Sequence, residues 1–511
     1  MSKFGDLMQV FMMGTPKRAN WFLTHMPEKA WHKIGGKKAL EVFHETAKRV
    51  PAYKDFLRNQ KIEAAEIKSI EDLEKVPWTD KKNYLSRYEL EELCLDSDLN
   101  QTHTISSSSG STGECFYWPR LASQDKMSEN ILELTYKNCY GIDKDSTLFI
   151  VCFALGTWVA GEMCLGLAQA IAKKDYPMTV ISPGMDLQES LKTVKNLGKK
   201  YDQIVIAGYP PFVKDVIEGG EKEGISWSEH KVKFLCGGEG FSEQWRDYLM
   251  SKVGIRNELS DVINLYASAD VAGVMGSETP FTILIRRLAS KDRGLARDLF
   301  DCEIIPSLIQ YSPAGRYFIV ESDEITLTAM GAIPLIRYNT HDMGGIISFG
   351  GAMEVLRSHG YDPLKILTEN QLERYLSQLP LLFIRGRSDS TATIYAVNVY
   401  PENVKHALEK SVAKDLISGK FKMQTINHEK TQNQLLQLDI ELAQNKKPST
   451  KNSDELLREL LSGLSQINAE FKRLKETVDD KPLLAVRLHG YKSPPFFDTG
   501  EFKHKYVLEN E

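Results

Sequence analysis

An α/β fold with a smaller α+β domain at its C-terminal end is what this sequence predicts, on three observations. Apolar runs of strand length at Thr147–Phe153, Met178–Ile181, Gln203–Ala207 and Val232–Cys236 alternate with helix-like stretches. That is the order of crossover units around a substantially parallel sheet. At 511 residues and 42% apolar content the chain exceeds one ordinary core and has the material for two or more. The pattern changes character near Phe383–Asp389, so the domains expected are residues 1–388 and a mobile 389–511.

From the start of the chain, Trp21, Phe22, Trp31, Ile34, Leu40, Phe43, Ala47 and Tyr53 follow helical spacing, and Pro51 marks a break. Thr79-Asp80-Lys81-Lys82 reads as a cap and helix start. The four parallel strand candidates follow, then β-rich material over Ile304–Leu327 and Gly344–Leu356. Beyond Pro401 come a helix-like stretch, a strand candidate and a charged region, Lys430–Thr477. Within that region Asn445–Lys451 reads as a solvated connection between helices.

A formal net charge of -5, from 64 basic and 69 acidic residues, supplies no field that recruits nucleic acid or an anionic membrane. No segment approaches the roughly 20 apolar residues of a membrane span. The seven cysteines, Cys94, Cys115, Cys139, Cys152, Cys164, Cys236 and Cys302, form no Cys-x-x-Cys pair or metal-type cluster. They read as buried thiols of a cytoplasmic protein.

The chemistry must therefore sit in local sites. Ser106–Ser109 run through Gly110, Ser111 and Thr112 into Gly113 and Glu114. Glycines free the backbone to turn successive N–H groups toward one anion, and the hydroxyls add donors, so this loop suits phosphate. It lacks the lysine of a Walker loop, because Glu114 stands in that place. Gly237-Gly238-Glu239-Gly240 follows a strand candidate and lets backbone approach a flat base. Tyr266-Ala267-Ser268-Ala269-Asp270 offers a ring to stack, a hydroxyl and an oxygen ligand for a hard cation. Each of these, standing alone, is also ordinary turn chemistry.

In their order along the chain these segments resemble the adenylate-forming (ANL) superfamily of acyl-CoA synthetases, in its phenylacetate-CoA ligase-like branch. The likeness runs from about residue 40 to the C-terminus. The resemblance implies that Ser108, Ser109, Gly110, Ser111, Thr112 and Gly113 clasp the phosphates of ATP, with Glu114 replacing the usual lysine. It implies that Gly238 and Glu239 edge the adenine, that Tyr266, Ala267 and Ser268 line the nucleotide, and that Asp270 holds Mg2+. Ile336-Arg337-Tyr338-Asn339-Thr340-His341-Asp342 resembles the Tyr-Arg-Thr-x-Asp segment and makes Asp342 the ribose ligand. Arg385-Gly386-Arg387-Ser388-Asp389 resembles the Gly-Arg-x-Asp junction, with Arg387 on ribose or phosphate and Asp389 as pivot. Ala396 stands where the family's acceptor-channel motif has glycine. The terminal Gly-Lys segment reads Gly500-Glu501 here, which leaves Lys503 as the first choice of catalytic cation, then Lys505, or no catalytic lysine at all.

The implied reaction is activation of a small carboxylic acid by ATP, followed by transfer to CoA, with a carrier-protein thiol or an amine as alternative acceptors; the other alternative, raised by Glu114 and Glu501, is a catalytically weak nucleotide- or acyl-adenylate-binding protein. The implied catalytic set is Lys503, Arg387 and Ser268. Trp158, Tyr209, Phe212 and Gly273 are expected to frame the acid. A homodimer is left open.

Overall fold

The computed structural model describes residues 16–107, 116–255, 257–302, 305–387, 392–394, 397–411, 415–427, 434–477, 482–496 and 506–507. It divides into two compact units. The first comprises residues 1–301, 306–340 and 344–384, and the second 302–305, 341–343 and 385–511.

The helix Glu28–Arg49 opens the first unit's core by burying Trp31, Gly35, Gly36, Ala39, Phe43 and Thr46 along one face. It ends at Val50, whose extended φ of -104° is what a residue before proline adopts. Pro51 then starts the helix Pro51–Asn59, where its missing N–H costs nothing. A hairpin of β1 (Thr104–Ser107) and β2 (Tyr117–Arg120) follows.

The large sheet is built from β3 (Thr147–Cys152), β4 (Met178–Ile181), β5 (Gln203–Gly208), β6 (Val232–Gly237), β7 (Val262–Ser268), β8 (Gly273–Ser277), β9 (Ser307–Gln310), β10 (Tyr317–Glu321), β11 (Glu324–Ala329), β12 (Leu335–Ile347) and β13 (Leu381–Arg387). Its order is β10-β11-β12-β13-β9-β8-β7-β6-β5-β3-β4. The pairs from β4 through β3, β5 and β6 to β7 are parallel, and β8 turns antiparallel. Every residue of β3, β5 and β6 is buried, as a strand covered by helices on both faces must be.

Packing between a helix and the loop before it sets one testable constraint. Gly161, in the first turn of the helix Val159–Ala172, lies so close to Ala154 that a Cβ there would overlap its carbonyl. Alanine ordinarily favours a helix over glycine by about 1 kcal/mol. Here the clash with backbone outweighs that gain, and Gly161→Ala is expected to destabilise by about 1–3 kcal/mol in urea titration.

The second unit holds the hairpin β14 (Ala392–Ile394) and β15 (Val397–Val399), then a sheet ordered β16 (Ile417–Asn427), β17 (Gln434–Leu442), β18 (Leu484–His489). β16 and β17 run antiparallel, β17 and β18 parallel. The helices Pro401–Lys410 and Thr450–Ile467 cover it, burying Val404, Ala407, Leu456, Leu460 and Leu464.

On the first of these helices His406 is desolvated, and its pKa falls from 6.5 to about 4, with Lys410 pushing the same way. The unfolded chain therefore binds the extra proton between those values. The stabilising contribution is complete above pH 6.5 and is lost as pH falls toward 4. Equilibrium unfolding followed between pH 7 and 4 is expected to show this slope, and His406→Leu to flatten it.

Three local expectations are corrected. Thr79–Lys82 starts no helix: Asp80 and Asn83 exchange backbone-to-side-chain bonds of 2.7 and 2.6 Å that close a turn, and Thr79 bridges to Tyr338. Gly344–Leu356 is strand only to Ile347, because Ser348 Oγ accepts from Gly351 N at 3.0 Å and caps the helix Phe349–Ser358. Asn445–Lys451 joins a strand to a helix, since buried β17 precedes it and Ser449 caps the helix after it. Of the cysteines, Cys302 is half-buried and Cys115 lies outside the described residues; the other five are buried. Among the described residues no helix is long and apolar enough to cross a membrane.

Candidate active site

The strand order β4-β3-β5-β6-β7 reverses direction of growth between β3 and β5. Loops at the carboxyl ends of parallel strands diverge at such a point and leave a crevice that accepts ligands. Tyr209 follows β5, Gly238 and Glu239 follow β6, and Ala269 and Asp270 follow β7. Residues drawn from distant parts of the sequence thus stand on successive loops at the carboxyl ends of neighbouring strands.

Gly238 has φ +95°, a conformation that favours glycine, and a Cβ there would meet the Tyr209 ring at 3.4 Å. Tyr209 donates its hydroxyl to Glu239 Oε2 at 2.5 Å, and Asn264 Nδ2 donates to Glu239 O at 3.3 Å. Behind this loop lies a buried charge cluster that the sequence did not announce. Arg246 pairs with Glu243 at 2.9 Å and Glu278 at 2.7 Å, and Arg286 with the same two at 3.1 and 2.6 Å. Arg286 Nη2 also donates to Phe241 O at 2.5 Å, and Glu278 Oε2 accepts from Asn264 N at 2.8 Å. Burial alone would raise the Glu243 pKa, but Arg246 and Arg286 outweigh it and hold the carboxyl below its usual range. Two carboxylates balance two guanidiniums, so the glycine loop is tied to β7 without a stranded charge.

Asp270 is 17% exposed and receives donors from two sides. Tyr338, itself buried, donates to Oδ2 at 2.6 Å, and Lys81 Nζ stands 3.2 Å from Oδ1 and 5.6 Å from the Trp118 ring. Ser268 Oγ accepts from Asp270 N at 3.2 Å, shaping the turn. Tyr266 and Ser268 on β7 are half-buried, as is Ala267, and a register shift falls between Tyr266 and Ala267. Lys81 and Tyr338 were missed from sequence because they arrive through the Thr79–Tyr338 bridge, a contact that no local pattern announces. Among the described residues no cluster of three or more His, Cys, Asp or Glu forms a metal cage. A lone carboxylate suits Mg2+ that arrives already bound to phosphates, since that ion keeps most of its ligands from water and phosphate.

The hydroxyl-rich segment lies in sequence between the paired strands β1 and β2. Its residues Ser108, Ser109, Gly110, Ser111, Thr112, Gly113 and Glu114 lie outside the described residues, but both flanks are fixed. Ser107 N donates to Thr157 O at 2.7 Å. Arg120, 1% exposed, reaches Ser106 Oγ at 2.9 Å, Glu162 at 2.5 Å and Asp125 at 3.0 Å. Trp158, half-buried, bridges to Ser107 through its backbone.

Phe212 is 8% exposed and packs in the core around Ile206, Val213 and Val216. Gly273 opens β8 opposite Ser268. Arg337 adopts φ +43° and is taken up by structure: it bonds Glu74 O, Val76 O and the Glu321 carboxylate. In the second unit Arg387 Nη1 lies 3.8 Å from Asp342 Oδ1. Gly386 beside it has φ +153°, and a Cβ there would meet Glu402 Oε2 at 2.6 Å. Asp389, Ala396, Glu501, Lys503 and Lys505 lie outside the described residues.

No protein-family model matches the chain. A phenylacetate-coenzyme A ligase of Thermus thermophilus is 22% identical over 364 residues, 70% of this chain and 71% of that protein. A crystal structure of 2-hydroxyisobutyryl-CoA ligase in the postadenylation state, in complex with R3-HIB-AMP, superposes with a TM-score of 0.65 at 14% identity. It covers 96% of this chain and 91% of the other. An acyl acid amido synthetase in complex with 2,4-DB gives a TM-score of 0.59 at 13% identity, covering 98% and 95%.

Proposed function

We propose that this chain, whose fold is that of the adenylate-forming acyl-CoA ligases, activates a carboxylic acid with ATP and transfers the acyl group to CoA. The observation that carries the reading is the placing of Gly238–Glu239 and Tyr266–Asp270 at the carboxyl ends of adjacent parallel strands. In the first step a carboxylate oxygen bonds to the α-phosphorus while the bond to the leaving pyrophosphate breaks. In the second, the CoA sulfur bonds to the acyl carbon, AMP leaves, and the thiol proton passes to solvent.

The roles follow from chemistry and pattern. Gly238 and Glu239 edge the adenine, with Tyr266 against its face, and Asp342 accepts from the ribose hydroxyls. Arg387 supplies directional donors to ribose or phosphate. Residues 108–113 wrap the phosphates, and Lys503 meets charge developing on the reacting oxygens. Asp270 is the residue that would hold Mg2+, an ion that neutralises phosphate charge when bound. Lys81, already at Asp270, adds a second cation to the same place. Much of the rate then comes from holding two reactants in line.

The test is acid-dependent exchange of labelled pyrophosphate into ATP across a panel headed by phenylacetate, with CoA then added to each active acid. Exchange with at least one acid and a thioester product are expected; silence across a chemically broad panel would refute the proposal. The amido synthetase likeness, spanning 98% of this chain, favours an amine acceptor as a second reading. AMP release stimulated by amino acids and indifferent to CoA decides for it. A cytoplasmic setting is proposed with the reaction, since both ATP and CoA are drawn from that pool.

A further inference from the structure

The helix Pro16–His25 precedes the part of the chain that carries the family resemblance, and it offers an indole to solvent. The helix is anchored from within: Ala19 is buried, and Asn20 Oδ1 accepts from Asn138 Nδ2 at 3.1 Å. Trp21 turns outward and, at 54%, is the most exposed of the tryptophans. Its ring is nonetheless held in place. It stacks on His25 with 4.9 Å between centroids and 12° between planes, and it meets Phe22 edge-on at 5.0 Å. Leaving so much of an aromatic surface in water costs free energy that a covering partner would recover.

Trp21 borders a groove of about 850 Å³. The helix contributes Arg18 beside it, the turn Glu373–Tyr375 contributes Glu373 and Arg374, and Phe349 and Leu376 add apolar surface. The lining is braced from behind. Glu28 accepts from Phe349 N at 2.7 Å and Gly350 N at 3.1 Å, the Phe349 ring packs on Phe281 at 5.4 Å, and buried Gln310 Nε2 donates to Ser377 O and Leu379 O, both at 3.0 Å. A surface already fixed in this way loses little freedom when it is covered.

We infer that this groove is the surface on which a second copy of the chain docks, across a two-fold axis. The signs of its charges select that occupant. A pocket for a small ion gathers one sign, whereas here Arg18 stands on one element and Glu373 on another. A patch that pairs with itself needs both, because the axis brings Arg18 to the partner's Glu373 and Glu373 to the partner's Arg18. Trp21 then enters the groove of the other copy and leaves water; tryptophan and arginine are the residues that dominate the energy of such contacts. The inference is independent of the adenylation reading, since assembly is measured without substrate.

Sedimentation velocity of the full chain over a rising concentration series is the experiment. A monomer–dimer equilibrium is expected, and Trp21→Ala is expected to raise its dissociation constant by roughly 30-fold or more. Arg18→Glu sets carboxylate against carboxylate across the axis, and Glu373→Arg sets guanidinium against guanidinium. Each variant alone is therefore expected to stay monomeric at concentrations where the parent dimerises. In equal mixture the two restore both ion pairs and are expected to sediment as a heterodimer. All three side chains are exposed, so urea unfolding of the variants is expected to match the parent, and recovery on mixing separates a lost contact from a damaged fold. A parent chain that stays monomeric throughout, a dimer indifferent to the three substitutions, or a mixture that remains monomeric overturns the inference.

Discussion

Asp270→Asn is expected to lower acid-dependent ATP–pyrophosphate exchange by roughly 10²-fold and to raise the Mg2+ concentration needed for half-maximal rate. The substitution preserves the shape of the side chain and an oxygen that accepts from Tyr338, which donates at 2.6 Å in the parent. What disappears is the negative charge. The carboxylate no longer attracts a divalent ion, and Lys81, 3.2 Å away, is no longer held beside it. Loss of that partly exposed pair costs the fold about 1 kcal/mol or less. Near-parental unfolding with a collapsed rate therefore identifies a site residue. A parental rate across the Mg2+ titration would remove Asp270 from the assigned role.

Glu278→Gln is expected to be the costliest change for stability, about 3–5 kcal/mol in denaturant titration. The carboxylate is 2% exposed and accepts from Arg246, Arg286 and Asn264 N. Neutralising it leaves two buried guanidiniums to one carboxylate, Glu243. The consequence extends to function, because Arg286 holds Phe241 O and Asn264 holds Glu239 O at the glycine loop. The KM for ATP is expected to rise under conditions where the variant is still folded. A loss of stability without any change in KM would separate the charge cluster from the nucleotide loop.

The parallel strands were legible because burial on both faces demands continuous apolar runs: β3, β5 and β6 coincide with the predicted runs to within a residue or two. Local chemistry also made Pro51 a reliable boundary. The expectations that failed are those where a polar side chain chose between two local uses. Asp80 closes a turn when it was read as a helix cap, and Ser348 starts a helix inside a stretch read as β. Propensity alone cannot rank such alternatives: the side-chain bonds that close the turn and cap the helix are local, but distant contacts, Thr79 with Tyr338 and Glu28 with the Phe349 and Gly350 N–H groups, accompany the choice.

The same division runs through the site. Gly238 and the 266–270 segment were visible because each needs a particular backbone or donor type at one place. Lys81 and Tyr338 were read in other capacities, as part of a cap and of a motif; their place beside Asp270 comes only from folding, which brings Tyr338 to it across 68 positions.

By itself, then, the sequence determined the α/β architecture and marked the glycine- and donor-bearing segments that end β6 and β7, since periodicity and glycine freedom act over a few residues. The tertiary structure decided which charges meet. Buried Arg246 and Arg286 find carboxylates and become scaffold, whereas Arg316, 2% exposed, meets none among the described residues. The reason is physical: desolvation acts on each group separately, but only folding brings up, or withholds, the partner that offsets it.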